Sequence, residues 1–124
     1  MKKNPQLEFE VSFYEALVAD KPDFIDALIP LADAYTRLGD YRKGFEIDKR
    51  LVSLCPDSAS AHYNLACSYS LIGELENSLT TLQKAIDYGY SDISHMLRDP
   101  DLQAIRRDAR FTVLTQKIKQ LNKI

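Results

Sequence analysis

Apolar residues recur every three or four positions along most of the chain, separated by polar and charged ones. Phe24, Leu28, Leu31, Tyr35 and Leu38 form one such stripe, and Ala61, Leu65, Tyr69 and Ile72 form another. That spacing keeps side chains on one face of an α-helix and predicts two amphipathic helices. Each is followed by a glycine, Gly39 or Gly73, suited to a helix C-terminus, and then by an acid, Asp40 or Glu74. An acid at a helix start is favoured by the positive end of the helix dipole. A second helix is predicted after each turn, one with Tyr41, Phe45, Leu51 and Leu54 and one with Leu75, Leu79, Leu82 and Ile86. Pro56 stops the first of these, and Asp57 or Ser58 is placed to cap the helix after it. Further on, Asp99-Pro100 reads as a helix start, with aspartate as N-cap and proline in the first helical position. Asp108 is a second N-cap candidate, before the stripe Phe111, Leu114, Ile118 and Leu121.

The two helix pairs are copies of one unit. Residues 25–58 laid over residues 59–92 match at Ala27/Ala61, Leu31/Leu65, Ala32/Ala66, Tyr35/Tyr69 and Gly39/Gly73, each pair 34 positions apart. Leu38/Ile72, Asp40/Glu74 and Arg50/Lys84 match in kind at the same step. A fixed period of this length is the signature of a repeat architecture, in which each unit is one helix hairpin that buries its apolar face against a neighbour.

These residues resemble the tetratricopeptide repeat family. The resemblance is carried by Leu31-Ala32 and Leu65-Ala66, by Tyr35 and Tyr69 four residues after each leucine, by Gly39 and Gly73 at the turns, and by Pro56 at the close. Gly44 and Ser78 depart from the usual alanine, Asp48 and Leu82 from the common aromatic, and Tyr90 from the closing proline. The resemblance implies an all-α fold, a short right-handed solenoid of helix-turn-helix repeats with capping helices at both ends. The single domain 1–124 then comprises an N-terminal capping helix at 5–22, repeats at 25–58 and 59–92, and a C-terminal helical cap at 93–124. The last part resembles the closing segment of many bacterial tetratricopeptide proteins, through Gly89-Tyr90, Asp99-Pro100-Asp101-Leu102 and Arg107-Asp108-Ala109-Arg110-Phe111.

Composition narrows the function. The chain has 124 residues, is 45% apolar and 27% charged, and carries a net charge of −2, so one domain with an ordinary core is expected. The near-neutral total argues against a nucleic-acid binder. The chain has no apolar run of about 18 residues, so no integral membrane segment is expected. Lys2 and Lys3 precede a stretch interrupted by Glu8, Glu10 and Glu15, which is not the pattern of a secretory signal; a cytoplasmic protein is expected. Residues 98–124 hold seven basic and three acidic residues, so a basic C-terminal helix is set against an acidic remainder.

No catalytic, cofactor or metal set emerges. The sequence has no glycine-rich phosphate loop, no Cys-x-x-Cys and no paired His and Glu at ligand spacing. His62 and Cys67 are five residues apart and diverge around a helix, which excludes a dyad. Cys55 and Cys67 read as structural residues, Cys67 as a small, half-buried hydrophobe. The expected protein is not an enzyme.

In the tetratricopeptide family the first helix of each repeat lines a concave face. The resemblance therefore implies a partner surface of Asp26, Ile29, Asp33, Thr36 and Arg37 from one repeat. The next repeat contributes Ser60, Tyr63, Asn64, Cys67 and Ser70. Such a surface suits a peptide or helix, and Asp26 and Asp33 favour a basic segment. The sequence leaves undecided whether the groove is open or covered by the C-terminal helices. A chaperone-tail clamp is excluded, because Ile29 and Asp33 stand where a lysine and an asparagine are needed, although Asn64 matches. The leading expectation is a scaffold or adaptor protein. The alternatives are a self-assembling module, for which Leu7, Phe9, Val11 and Phe13 crowd the first helix, and an accessory subunit docking on a larger enzyme through its basic C-terminus.

Overall fold

The computed structural model describes residues 4–123; Lys2 and Lys3, which bear on the secretory-signal expectation, lie outside them. Among the described residues there are only helices and turns, and no helix is long and apolar enough to cross a membrane. The chain divides into two compact units, Met1–Cys55 and Pro56–Ile124.

The first unit contains α1 (Pro5–Asp20), α2 (Ile25–Leu38) and α3 (Tyr41–Leu54). Asn4 caps α1 by accepting from the Leu7 amide, with Pro5 in the first turn where its missing N–H costs nothing. Leu7 and Val11 on α1 pack against Leu31, Ala34 and Tyr35 on α2. Phe9 and Phe13, which crowd the same helix, do not join that core: they are 69% and 51% exposed and stack on each other. The reason is angular. Residues 7, 11, 14 and 18 share one face of the helix, and positions 9 and 13 lie on another. Helix α3 buries only Phe45 and Leu51 as apolar side chains, together with Gly44 and Asp48.

The second unit contains α4 (Ala59–Leu71), α5 (Leu75–Asp87), α6 (Ile93–Arg98), a single 3-10 turn (Pro100–Leu102) and α7 (Ala109–Asn122). Ser58, not Asp57, caps α4 by accepting from the Ala61 amide. Asp108 caps α7 as expected. Asp99-Pro100 starts only a 3-10 turn where a helix was expected, because the chain continues in turns to residue 107. Helix α6 has its own cap, Asp92, which the sequence pattern did not reveal. Leu79, Leu82, Ala85 and Ile86 of α5 meet Met96, Leu102, Ile105, Phe111, Leu114 and Ile118 in one core.

Both hairpin turns are built alike. Gly39 and Gly73 hold φ at 87° and 84°, a left-handed backbone that costs a residue with a Cβ roughly 1–2 kcal/mol. The next amide reaches back over the helix end, Asp40 to the Tyr35 carbonyl and Glu74 to the Tyr69 carbonyl, each at 2.9 Å. Asp40 accepts from the Lys43 amide, whereas Glu74 makes no such cap bond.

The helix contacts inside the hairpins differ. A Cβ at Gly44 would stand 3.0 Å from Thr36 Oγ1, and Thr36 itself donates to the Ala32 carbonyl. At the equivalent positions of the second hairpin, Ser78 Oγ donates to the Ala66 carbonyl at 2.7 Å, and Ser70 Oγ is left buried without a partner. The same carbonyl is satisfied from its own helix in one hairpin and from the neighbouring helix in the other.

The basic residues of α7 are partly spent within the second unit. Arg110 bonds Glu76 of α5 and its own cap Asp108, and Lys117 bonds Asp87 of α5. The Arg110 guanidinium holds Asp108 down at about 2 from the ordinary 3.8, and also lowers Glu76. A carboxylate with a depressed folded-state pKa stabilises fully above its unfolded value, and the contribution disappears as pH falls through the folded one. Arg110→Ala should therefore lower the melting temperature at neutral pH. The difference from wild type should shrink through the acid range and vanish near about pH 2. A difference that stays constant down to that pH would show that Arg110 acts through packing instead.

Candidate functional site

Of the residues expected on the partner face, those of the first unit are presented to solvent. On α2, Ile29, Asp33 and Arg37 follow at intervals of four and are all exposed, as is Asp26 one turn earlier. Ile29 is 51% exposed, unusual for an isoleucine between two acids. Arg37 is bound on both sides, by Asp33 at 2.8 Å and by Glu10 of α1 at 3.1 Å. That bridge puts Glu10 on the same surface as the α2 stripe. Phe13 lies one turn after Glu10 on α1. Thr36 is half-buried and engaged with the Ala32 carbonyl, so its role is in packing. On the flank of α1 that carries Glu15, Tyr35 donates its hydroxyl to the Glu15 carboxylate. Burial, then this bond, pushes the phenol up.

Helices α1 and α2 together carry six acids (Glu8, Glu10, Glu15, Asp20, Asp26, Asp33) against Arg37 alone. With Arg37 shared between Asp33 and Glu10 and Asp26 exposed nearby, the surface around Ile29 carries a net negative charge.

The second unit differs from the expectation. Ser60 and Asn64 are exposed, but Tyr63, Cys67 and Ser70 are buried, with 4%, 6% and 4% exposure. They do not form a surface stripe. The cause is the segment after α5, whose 3-10 turn packs on α4 and whose Leu102 and Ile105 are fully buried in the core. Tyr90 stacks flat on Tyr63, with ring centroids 4.2 Å apart and planes within 5°. Burial pushes the Tyr90 phenol up to about 12.

Asp99 is the centre of this closure. Its Oδ1 accepts from the Asp101 amide. Its Oδ2 accepts from the Tyr63 hydroxyl at 2.7 Å and the Cys67 thiol at 3.7 Å, and stands 3.1 Å from His95 Nε2. Burial raises the Cys67 thiol well above its usual value, and the charges of Asp99 and Asp101 add to the shift. Burial likewise raises the Tyr63 phenol. Neither group is poised as a nucleophile or base at neutral pH. The sequence pattern revealed Asp99 as a cap; its second oxygen, facing α4 from 36 residues away, left no local signal.

Residues 59–88, the second hairpin, match the family model for the tetratricopeptide repeat. The chain is also similar to curated proteins. A chloroplastic protein of Arabidopsis thaliana is 27% identical over 89 residues, covering 69% of this chain and 27% of that protein. The peroxisomal targeting signal receptor of Komagataella phaffii is 30% identical over 114 residues, covering 88% and 20%. The corresponding receptor of Pichia angusta is 28% identical over 123 residues, covering 98% and 21%. The chain thus spans about a quarter or less of the length of these relatives. Among solved structures, the MamA RS-1 ArsTM double mutant superposes with a TM-score of 0.76 over 96% of this chain and 67% of that one, at 18% identity, a likeness of fold. The all-α fold of paired helices expected from the 34-residue period is the one found.

Proposed function

We propose that this tetratricopeptide module is a non-catalytic scaffold that binds a partner protein through the α1–α2 surface of its first unit. The observation that carries the reading is Ile29, half exposed amid Asp26, Asp33 and the Glu10–Arg37 bridge. An apolar anchor inside an acidic rim suits an extended or helical segment that offers one bulky apolar side chain flanked by lysine or arginine. Asp26, Ile29, Asp33 and Arg37 are the contact residues, with Phe13 extending the apolar part. Tyr63 and Cys67 belong to the closed core of the second unit, and the partner surface is placed without them. The likeness to receptors of peroxisomal targeting signals supports a signal-recognition role of this general kind.

Selection from a random peptide display library tests this. Peptides enriched on the wild-type protein should carry basic residues around a bulky apolar one. Binding should fall at least ~10-fold with Asp26→Lys plus Asp33→Lys, equal to roughly 1.4 kcal/mol. Ile29→Asp should abolish it. Selected peptides without basic residues, or binding unchanged by these substitutions, would remove the surface from consideration. A concentration-dependent mass abolished by Phe9→Asp would replace this reading with self-assembly through the exposed Phe9–Phe13 pair.

A further inference from the structure

Helix α7 uses only one side to close its own core. Phe111, Leu114 and Ile118 are buried there, whereas Val113, Lys117 and Leu121 follow at intervals of four outside it and are all exposed. Val113 is 61% and Leu121 52% exposed. The cations of α7 are spent unevenly. Arg110 and Lys117 bond acids of α5, but among the described residues Lys119 in the last turn and Lys123 at the C-cap form no ion pair. No acid occurs between Ala109 and Lys123, so the far half of the helix is positive.

The first unit carries the counterpart. On α2, Ile29, Asp33 and Arg37 are exposed at the same interval of four, and among the described residues Asp26 forms no ion pair. Unpaired acid therefore sits beside Ile29, and unpaired base at the end of α7. Both stripes step by about 6 Å, so two helices laid side by side keep register over their whole length. In the antiparallel arrangement Ile29 meets Leu121, Asp33 meets Lys117, the Arg37 stem lies along Val113, and Lys123 comes level with Asp26. The parallel arrangement instead brings Lys123 toward Arg37, like charge to like. Antiparallel helix dipoles favour the same choice. The bonds already made by Asp33 and Lys117 are exposed pairs, which are worth little and are readily shared.

We propose, resting on the partner surface assigned above, that its occupant is a second copy of this chain: the α7 stripe of one copy docks on the α2 stripe of another. The basic segment with an exposed apolar side chain that the surface calls for is then Lys117 to Lys123, around Leu121. Two unlike patches meet, so the contact is heterologous. Each added copy leaves one surface of each kind free, and association continues into rings or longer chains.

Sedimentation equilibrium of the intact protein is the test. At low ionic strength the weight-average mass should climb above the chain mass of 14.1 kDa as the concentration rises toward ~1 mM. It should fall back as salt goes from about 0.01 to about 1 M and the Debye length shrinks from about 30 to about 3 Å. Ile29→Asp alone, or Val113→Glu with Leu121→Glu, should hold the protein at the chain mass. All three positions are exposed, so the circular dichroism spectrum should not change. An equimolar mixture of the two variants should form a species of twice the chain mass and nothing larger, because together they retain one intact surface of each kind. A wild-type protein that stays at the chain mass, an association that survives either variant, or a mixture that stays monomeric would overturn the proposal. Selected basic peptides that still bind such a monomer through Asp26, Ile29 and Asp33 would leave the surface standing and remove only this occupant.

Discussion

Truncation after Asp108 should abolish the cooperative unfolding transition of the second unit. Helix α7 contributes Phe111, Leu114 and Ile118 to the core shared with Leu79, Leu82 and Ile86, and Ile118 is fully buried. Burying three such side chains is worth together roughly 5–9 kcal/mol. The whole stability of a small domain is about 5–15 kcal/mol. The ion pairs of Arg110 and Lys117 do not change that balance, since exposed pairs contribute about 0–1 kcal/mol. A milder form of the same experiment is Ile118→Ala, with an expected loss of about 2–5 kcal/mol from transfer and cavity terms. Denaturant titration followed by circular dichroism reads both. A truncated chain that retains the native transition midpoint would show α7 to be an appendage, available as a docking arm in the way the basic C-terminus suggests.

Asp99→Ala is expected to have the second largest effect, a loss of about 2–4 kcal/mol. It removes the acceptor for the Tyr63 hydroxyl and the Cys67 thiol, both buried, together with the cap on the Asp101 amide. Buried donors left without acceptors cost their full desolvation, which is why the change outweighs the bonds it deletes. Asp99→Asn keeps a carbonyl oxygen for Tyr63 and should cost about half as much. A double-mutant cycle with Tyr63→Phe isolates the shared bond: the second substitution should add little once the first is made. Additive losses would mean that Asp99 holds the turn through its cap alone.

The sequence was most legible where chemistry is local. Apolar spacing, the two turn glycines and Pro56 reveal the two helix pairs α2–α3 and α4–α5, because a helix and its caps are determined within a few positions. Asp108 was readable for the same reason. Legibility failed where one side chain serves two masters. Asp99 looks like a cap and is one, yet its other oxygen closes the second unit over Tyr63. Helical periodicity places Tyr63, Cys67 and Ser70 on a common face of α4 correctly. It carries no information about what lies on that face, and here it is the chain's own C-terminal segment. Leu7 and Val11 turn into the core while Phe9 and Phe13 stay exposed, since hydrophobicity alone does not bury a residue whose angle on the helix points away from the core.

The unlike treatment of the Ala32 and Ala66 carbonyls has a consequence for the ancestry of the hairpins. Thr36 with Gly44, and Ser70 with Ser78, are two solutions to one contact. A Cβ at position 44 would stand 3.0 Å from the Thr36 hydroxyl, whereas glycine at position 78 would hand the Ala66 carbonyl to the unpartnered Ser70 hydroxyl one turn on. Which residue is tolerated at each position therefore depends on its mate across the hairpin, so divergence between the copies is coupled at this pair.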